Sequence, residues 1–262
     1  MRRATLTSVD RHFARRFSGG ISPDLTASIK AAGGGRAWFD QQLKPGKVPD
    51  PDGDAVDSWF PSLARTPEEI FDRQENDVQG AWEVMYDLSR WTVSRRILSS
   101  RQLLEVMTDF WSNLLNVPIM DDEAWFHRVD YDRVIRTYAL DSFENLITRT
   151  TIHPSMGLYL DNAVSTQDAP NENLGRELLE LHTVGVDAGY TEDDVKASSK
   201  LLTGYRVDLW WPRFRSLYDE SWHYTGPITV MGFSHPNTDR DGRAATQAYL
   251  FYLARHPATG CR

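Results

Sequence analysis

Over the first two hundred positions apolar residues recur with the 3.6-residue period of amphipathic helices. Val9, Phe13 and Phe17 fall at i, i+4 and i+8, and Gly19-Gly20 stops that helix. Ser22-Pro23 opens the next, with Leu25, Ile29 and Ala32 on one face before Gly33-Gly34-Gly35 interrupts it. A short third helix carries Trp38, Phe39 and Leu43 and ends at Pro45-Gly46. Residues 44–66 are rich in Pro and Asp and read as an internal connection. Thr66-Pro67-Glu68-Glu69 then joins a capping hydroxyl, a proline at the first helical position and acids in the first turn. From there an apolar stripe runs through Val78, Trp82, Met85, Leu88 and Trp91 to Leu98, predicting one long helix. Leu103, Leu104, Met107, Phe110, Trp111 and Leu114 form another stripe, ended by Pro118.

Further helices are predicted over 122–140 and, capped by Asp141 with Glu144 three later, over 142–151. His153-Pro154 makes a break, and a short helix through Met156 and Leu160 follows. Beyond a polar loop at 161–170 a helix spans roughly 172–183, with Gly185 as its stop, and Thr191 with Asp194 starts another that ends at Gly204. Between 205 and 233 aromatic and β-branched residues alternate with turn signals, which predicts a small β-hairpin or a three-stranded sheet. Residues 242–254 return to helix. The expected fold is therefore mainly α, one multi-helix globular domain over 1–262 with a small β element. No internal repeat points to a solenoid.

Composition narrows the function classes. Nine Trp, ten Tyr and eleven Phe exclude a disordered chain, which is poor in large apolar rings. A net charge of −8 argues against nucleic acid as a partner, because that binding needs a basic surface to displace counterions. The pairs Arg15-Arg16 and Arg95-Arg96 read as solvated helix faces. One cysteine, Cys261, excludes an intramolecular disulfide framework. No apolar run is long enough for a membrane span, and the basic start lacks the apolar core of a signal peptide, so the sequence as written places the chain in the cytoplasm.

The chemistry-bearing candidate is the helix that follows Asn171. At 100° per residue, Glu172, Asn173, Arg176, Glu177 and Glu180 fall within an arc of roughly 140°. Leu174, Leu178, Leu179 and Leu181 take the other side, with His182 among them. Two readings stay open. In one, Arg176 pairs with Glu172 and Glu180 on an ordinary surface helix, each pair contributing about 0.3–0.5 kcal/mol. In the other, Glu177, Glu180 and Arg176 are catalytic, and Asn171, Glu172 and Asn173 assist binding. Their oxygens could hold a divalent cation such as Mg²⁺ or Ca²⁺, or keep one carboxyl protonated as an acid. His182 points about 160° from Glu180 on a continuous helix, so it reads as a buried histidine near a helix end rather than a shared metal ligand.

Other patterns carry less. Asp50, Asp52 and Asp54 mimic the start of a calcium loop, but Ala55 and Pro61 occupy its glycine and closing-glutamate positions. Gly33-Gly34-Gly35 follows a helix, which is the wrong context for a phosphate cradle. Trp210-Trp211-Pro212 could offer a sugar-stacking platform, and core packing is the plainer reading. His235, Asn237, Asp239 and Asp241 form a polar loop with some capacity for a cation.

The run from Asn171 through Glu180 to Asp187, with Gly189-Tyr190-Thr191-Glu192 and Leu202-Thr203-Gly204, resembles a bacterial family catalogued as domain of unknown function 1800. Ala37-Trp38-Phe39-Asp40, Phe110-Trp111-Ser112-Asn113, His153-Pro154-Ser155-Met156, Trp222-His223-Tyr224-Thr225-Gly226-Pro227 and His256-Pro257-Ala258-Thr259 fit the same family. The resemblance implies a mostly helical fold, bacterial origin, frequent export to the cell envelope and a companion protein resembling sulfatases and alkaline phosphatases. It also brings in His223 as a binding candidate. Leu114-Leu115 stand where many members carry histidines, and Tyr224 and Ile228 where many have Asp and Lys, which weakens any metal site built there. The family continues beyond the point where this chain closes as Gly260-Cys261-Arg262, which reads as truncation. No reaction follows from the family. The expected function is a metal- or carboxylate-assisted hydrolase-like enzyme of the envelope. The alternatives are a binding or assembly protein that uses 205–233 as its contact surface, and an inactive fragment.

Overall fold

The computed structural model describes residues 5–121, 124–208 and 215–259. In chain order its first helices are α1 (Ser8–Phe17), α2 (Pro23–Ala31), α3 (Gly35–Gln42), α4 (Pro51–Ala55), α5 (Pro67–Glu75), α6 (Ala81–Leu98) and α7 (Gln102–Leu114). They are followed by α8 (Trp125–Tyr138), α9 (Phe143–Thr151), α10 (Pro154–Tyr159), α11 (Asn173–Glu177) and α12 (Glu192–Leu201). Strands β1 (Tyr205–Asp208), β2 (Arg215–Tyr218), β3 (Ile228–Val230) and β4 (Phe233–His235) precede α13 (Arg243–Arg255). The chain is mainly α with small β hairpins. Its contacts divide into two compact units, residues 1–64 with 86–113, and residues 65–85 with 114–262.

In the first unit Thr7 and Asp10 form a capping box at the start of α1, and Ser22 caps α2. The other oxygen of Asp10 accepts the N–H of Gly35 at 2.6 Å, and this bond holds the carboxyl below its ordinary range. A side chain at position 35 would put its Cβ 2.9 Å from the Asp10 Cα, so α3 can lie against α1 only with glycine there. Leu6, Ala14, Leu25, Ile29 and Trp38 form the core beneath, with Phe17, Ala32 and Phe39 packed on it. Val9 and Leu43, at the ends of their periodic stripes, are exposed.

Residues 44–66, Pro- and Asp-rich in sequence, run as single helical turns and α4 and bury Asp50, Gly53, Val56, Ser62 and Leu63. Asp50 accepts from the Ser99 hydroxyl and the Ser100 N–H, both at 2.6 Å. Beside it Arg95 donates to Glu105 at 3.2 Å and to the Gly53 carbonyl at 3.1 Å. The pair Arg95-Arg96 is therefore not one solvated face. Adjacent helical residues point about 100° apart, so Arg95 turns into the core while Arg96 meets Asp109 at the surface.

The helix expected to run unbroken from 67 to 98 is two helices. α5 ends at Asn76, Asp77 takes a left-handed conformation (φ 54°), and the Gly80 N–H is capped by Glu83 as α6 begins. Apolar spacing carried the prediction across this break, but Val78, counted in the stripe, is exposed. The cap of α9 is Ser142, whose hydroxyl accepts the Asn145 N–H, one residue after the Asp141 expected. The expected small β element is present, among the described residues as two separate hairpins. β1 pairs antiparallel with β2, Tyr205 opposite Tyr218, and β3 separately with β4, Ile228 opposite His235. α12 packs on β3, and α13 on α9 and β4.

Asp50→Ala should lower the urea midpoint by the equivalent of about 3–5 kcal/mol, because it strands buried donors and Arg95. Asp52→Ala, at an exposed position of the same turn, should stay within about 0.5 kcal/mol of the parent.

Candidate functional site

The acidic segment is built on α11. Asn171 Oδ1 accepts the Asn173 N–H at 2.9 Å, and the Asn171 N–H donates to Ser165 Oγ, so the turn is closed by its own side chain. Leu174, Gly175, Leu178 and Leu179 are buried. A Cβ on Gly175 would come within 2.8 Å of the Ser199 backbone N, and Ser198 donates to the Gly175 carbonyl at 3.3 Å. Backbone meets backbone where α11 crosses α12.

At Leu178 the helix widens into a π-turn that runs to His182. The Thr183 hydroxyl donates to the Leu178 carbonyl and the Gly185 N–H (φ 96°) to that of Leu179 at 2.8 Å, which closes the segment. The uniform 100° spacing assumed from sequence therefore holds for α11 but not for 178–182.

Arg176 grips both oxygens of Glu192 on α12, at 2.8 and 2.6 Å, and reaches Glu172 at 3.4 Å. The expected pair with Glu172 is present, and the charge of Glu180 also acts on Arg176. Glu180 accepts the Tyr190 hydroxyl at 3.1 Å, and the close crossing at Gly175 sets Glu192 in front of the guanidinium. The bidentate pair raises the Arg176 pKa and holds the Glu192 carboxyl below its usual range. Glu177 is half-buried. Burial first, and then the Glu180 charge, push its carboxyl up, against the pull of Arg176. Tyr190 is raised by burial and by its bond to Glu180. The Glu177 and Glu180 side chains are thus partly buried on this face.

Asn173 sits 3.4 Å from the Asp161 carboxylate. His182 lies buried on the π-turn, as expected for a histidine near a helix end. His223 is buried elsewhere: Nδ1 lies 3.0 Å from the Thr203 carbonyl and Nε2 3.2 Å from Asn237 Oδ1, with its ring filling the space that a side chain at Gly242 would need. In the 235–241 loop, Asn237 bonds the Tyr224 carbonyl, Asp239 accepts the Asp241 N–H, and Asp241 is held by Arg243. Trp210-Trp211-Pro212 and Cys261 lie outside the described residues. Among the described residues no group of three or more His, Cys, Asp or Glu is arranged to hold a metal ion, and no helix is long and apolar enough to cross a membrane.

Sequence reasoning missed Glu192, Tyr190 and the role of Gly175. The first two were in view as neighbours of the motif, but periodicity within one helix does not report a partner on the next. The chain belongs to a family described as "Protein of unknown function (DUF1800)", whose model matches residues 12–262. No curated protein and no solved structure matches the chain.

Gly175→Ala should lose about 1–3 kcal/mol in denaturant unfolding, since the Ser199 backbone cannot yield as a flexible side chain would. Gly46→Ala, with open space around it, should lose less than about 0.5 kcal/mol.

Proposed function

We propose that the chain is a carboxylate-assisted, hydrolase-like enzyme in which Glu177 gives and takes the proton. The carrying observation is the raised Glu177 carboxyl beside Glu180 where the helix opens into a π-turn. Such turns cost regular hydrogen bonding and are frequent at functional sites. A general acid works best with its pKa moved toward the working pH, and burial with a like charge one turn on moves Glu177 in that direction.

Glu180, held by the Tyr190 hydroxyl, orients water or an attacking group. Arg176 is locked to Glu192, so its part is to keep the face in place and temper the two carboxylates. A Mg²⁺ ion that keeps several of its waters would need only one or two protein carboxylates, and Glu177 with Glu180 is the pair that would serve it. The resemblance supplies the setting, a cell envelope and a sulfatase- or phosphatase-like companion.

Purified chain should hydrolyse one of 4-nitrophenyl acetate, phosphate or sulfate, with or without Mg²⁺, and Glu177→Gln should cost about 10²–10⁴-fold in rate. Equal rates in parent and variant, or none in either, overturn the proposal. Stability carries a second readout. Because the folded-state carboxyl binds its proton more tightly than the unfolded one, its contribution is complete below the unfolded value and lost as pH rises through the folded one. Glu177→Gln should therefore melt higher than the parent at pH 7, and the gap should close below about pH 4.

A further inference from the structure

Away from the acidic face, α9, β1 and α13 enclose a cleft of about 280 Å³. That is near the lower end of the roughly 300–1,000 Å³ over which small-molecule pockets range. All its walls belong to the second unit. Ile152, Leu250 and Phe251 give it an apolar side. No Asp or Glu lines it, while Arg149 and Arg243 both do.

The polar groups around the cleft give it a direction. Thr148 is 8% exposed, and its hydroxyl has no hydrogen-bond partner among the described residues. A helical threonine ordinarily satisfies itself on the carbonyl three or four residues back, as Thr150 does on Leu146 at 2.9 Å. Thr148 leaves that bond unmade, but its hydroxyl is closed off from solvent and so lies out of reach of a molecule in the cleft. Tyr205 is largely buried, and burial pushes its phenol up to about 12 even though it bonds Thr246, so it stays an uncharged polar group. Arg243 is held by two 2.7 Å bonds to Asp241, which offset its charge. Arg149 differs: it is exposed, stacks over the Tyr138 ring at 6.0 Å, and has no carboxylate partner among the described residues. Arg149 is therefore the uncompensated charge in the wall of the cleft.

We propose that this cleft binds a small organic anion, a carboxylate or phosphate carried on an apolar body. The anionic head meets Arg149, and the body lies against Ile152, Leu250 and Phe251. A guanidinium fork suits either head group, because both present two oxygens to parallel N–H donors. A neutral molecule of the same shape gains only the apolar contact, and a cation is repelled.

Calorimetric titration of the full chain with benzoate and with phenyl phosphate, against benzyl alcohol and benzylamine, tests this. At least one anion should bind saturably at millimolar concentration or below, about tenfold or more tighter than benzyl alcohol, with benzylamine weakest. The stronger of the two anions identifies the head group. Arg149→Gln, at an exposed position that leaves folding intact by circular dichroism, should lower the affinity of that anion by about tenfold. No saturable binding of either anion, equal binding of benzyl alcohol, or an unchanged affinity in Arg149→Gln overturns the proposal. None of these residues belongs to the Glu177 face, so failure here leaves the hydrolase reading as it was, and failure there leaves this one.

Discussion

The second unit depends on a relay of hydrogen bonds centred on one buried hydroxyl. Tyr249 on α13 donates to Ser198 Oγ at 2.8 Å, and Ser198 on α12 donates onward to the Gly175 carbonyl on α11 at 3.3 Å. Three helices are tied through one serine at the point where a glycine lets two backbones touch. Tyr249 and Ser198 are fully buried, so each bond is made where water cannot substitute, and an unmade bond there costs about 1–3 kcal/mol. The acidic face inherits its geometry from this crossing. Arg176 is the residue after Gly175, and it can take both Glu192 oxygens only because α12 begins within reach.

How far the sequence spoke depended on the range of the interaction concerned. Caps and breakers act within four residues, and Thr7, Ser22, Thr66 and Thr191 all mark helix starts where side-chain chemistry says they should. The acidic cluster was legible too, because it rests on helical spacing over a single turn. Apolar periodicity misled where a local signal cut across it. The left-handed Asp77 and the Gly80 entry to α6 divide a stripe that counting alone joins. The π-turn was invisible for a different reason: Leu178–His182 carries good helix formers, and the widening is fixed by Thr183 and Gly185 closing back on it.

What needed the structure is what lies between elements. Arg95 and Arg96 look alike in sequence, yet one is buried against Asp50 and Glu105 and the other is at the surface. Asp50 sat in a segment whose Pro and Asp content suggests a solvated connection, and it accepts two 2.6 Å bonds in the interior. Composition reports what a residue is able to do in water, whereas a buried carboxylate is defined by the donors brought to it. The same holds for Glu192 and Tyr190, which become site residues only because α12 and the turn before it fold back over α11.

The two proposed sites share α12 as their support. On one side its serines fix α11 and so the Glu177 face; on the other, the Leu201 carbonyl accepts the Thr246 hydroxyl at 2.9 Å, and Thr246 in turn holds the Tyr205 phenol in the wall of the anion cleft. Asp194 secures the start of the same helix, closing a capping box with Thr191 while accepting the Met231 N–H at 2.7 Å from the turn between β3 and β4. A helix fixed at its start and along its buried side has little freedom to shift. That rigidity holds Glu177 at a fixed depth beside Glu180, and partial burial and that neighbouring charge are what raise its carboxyl.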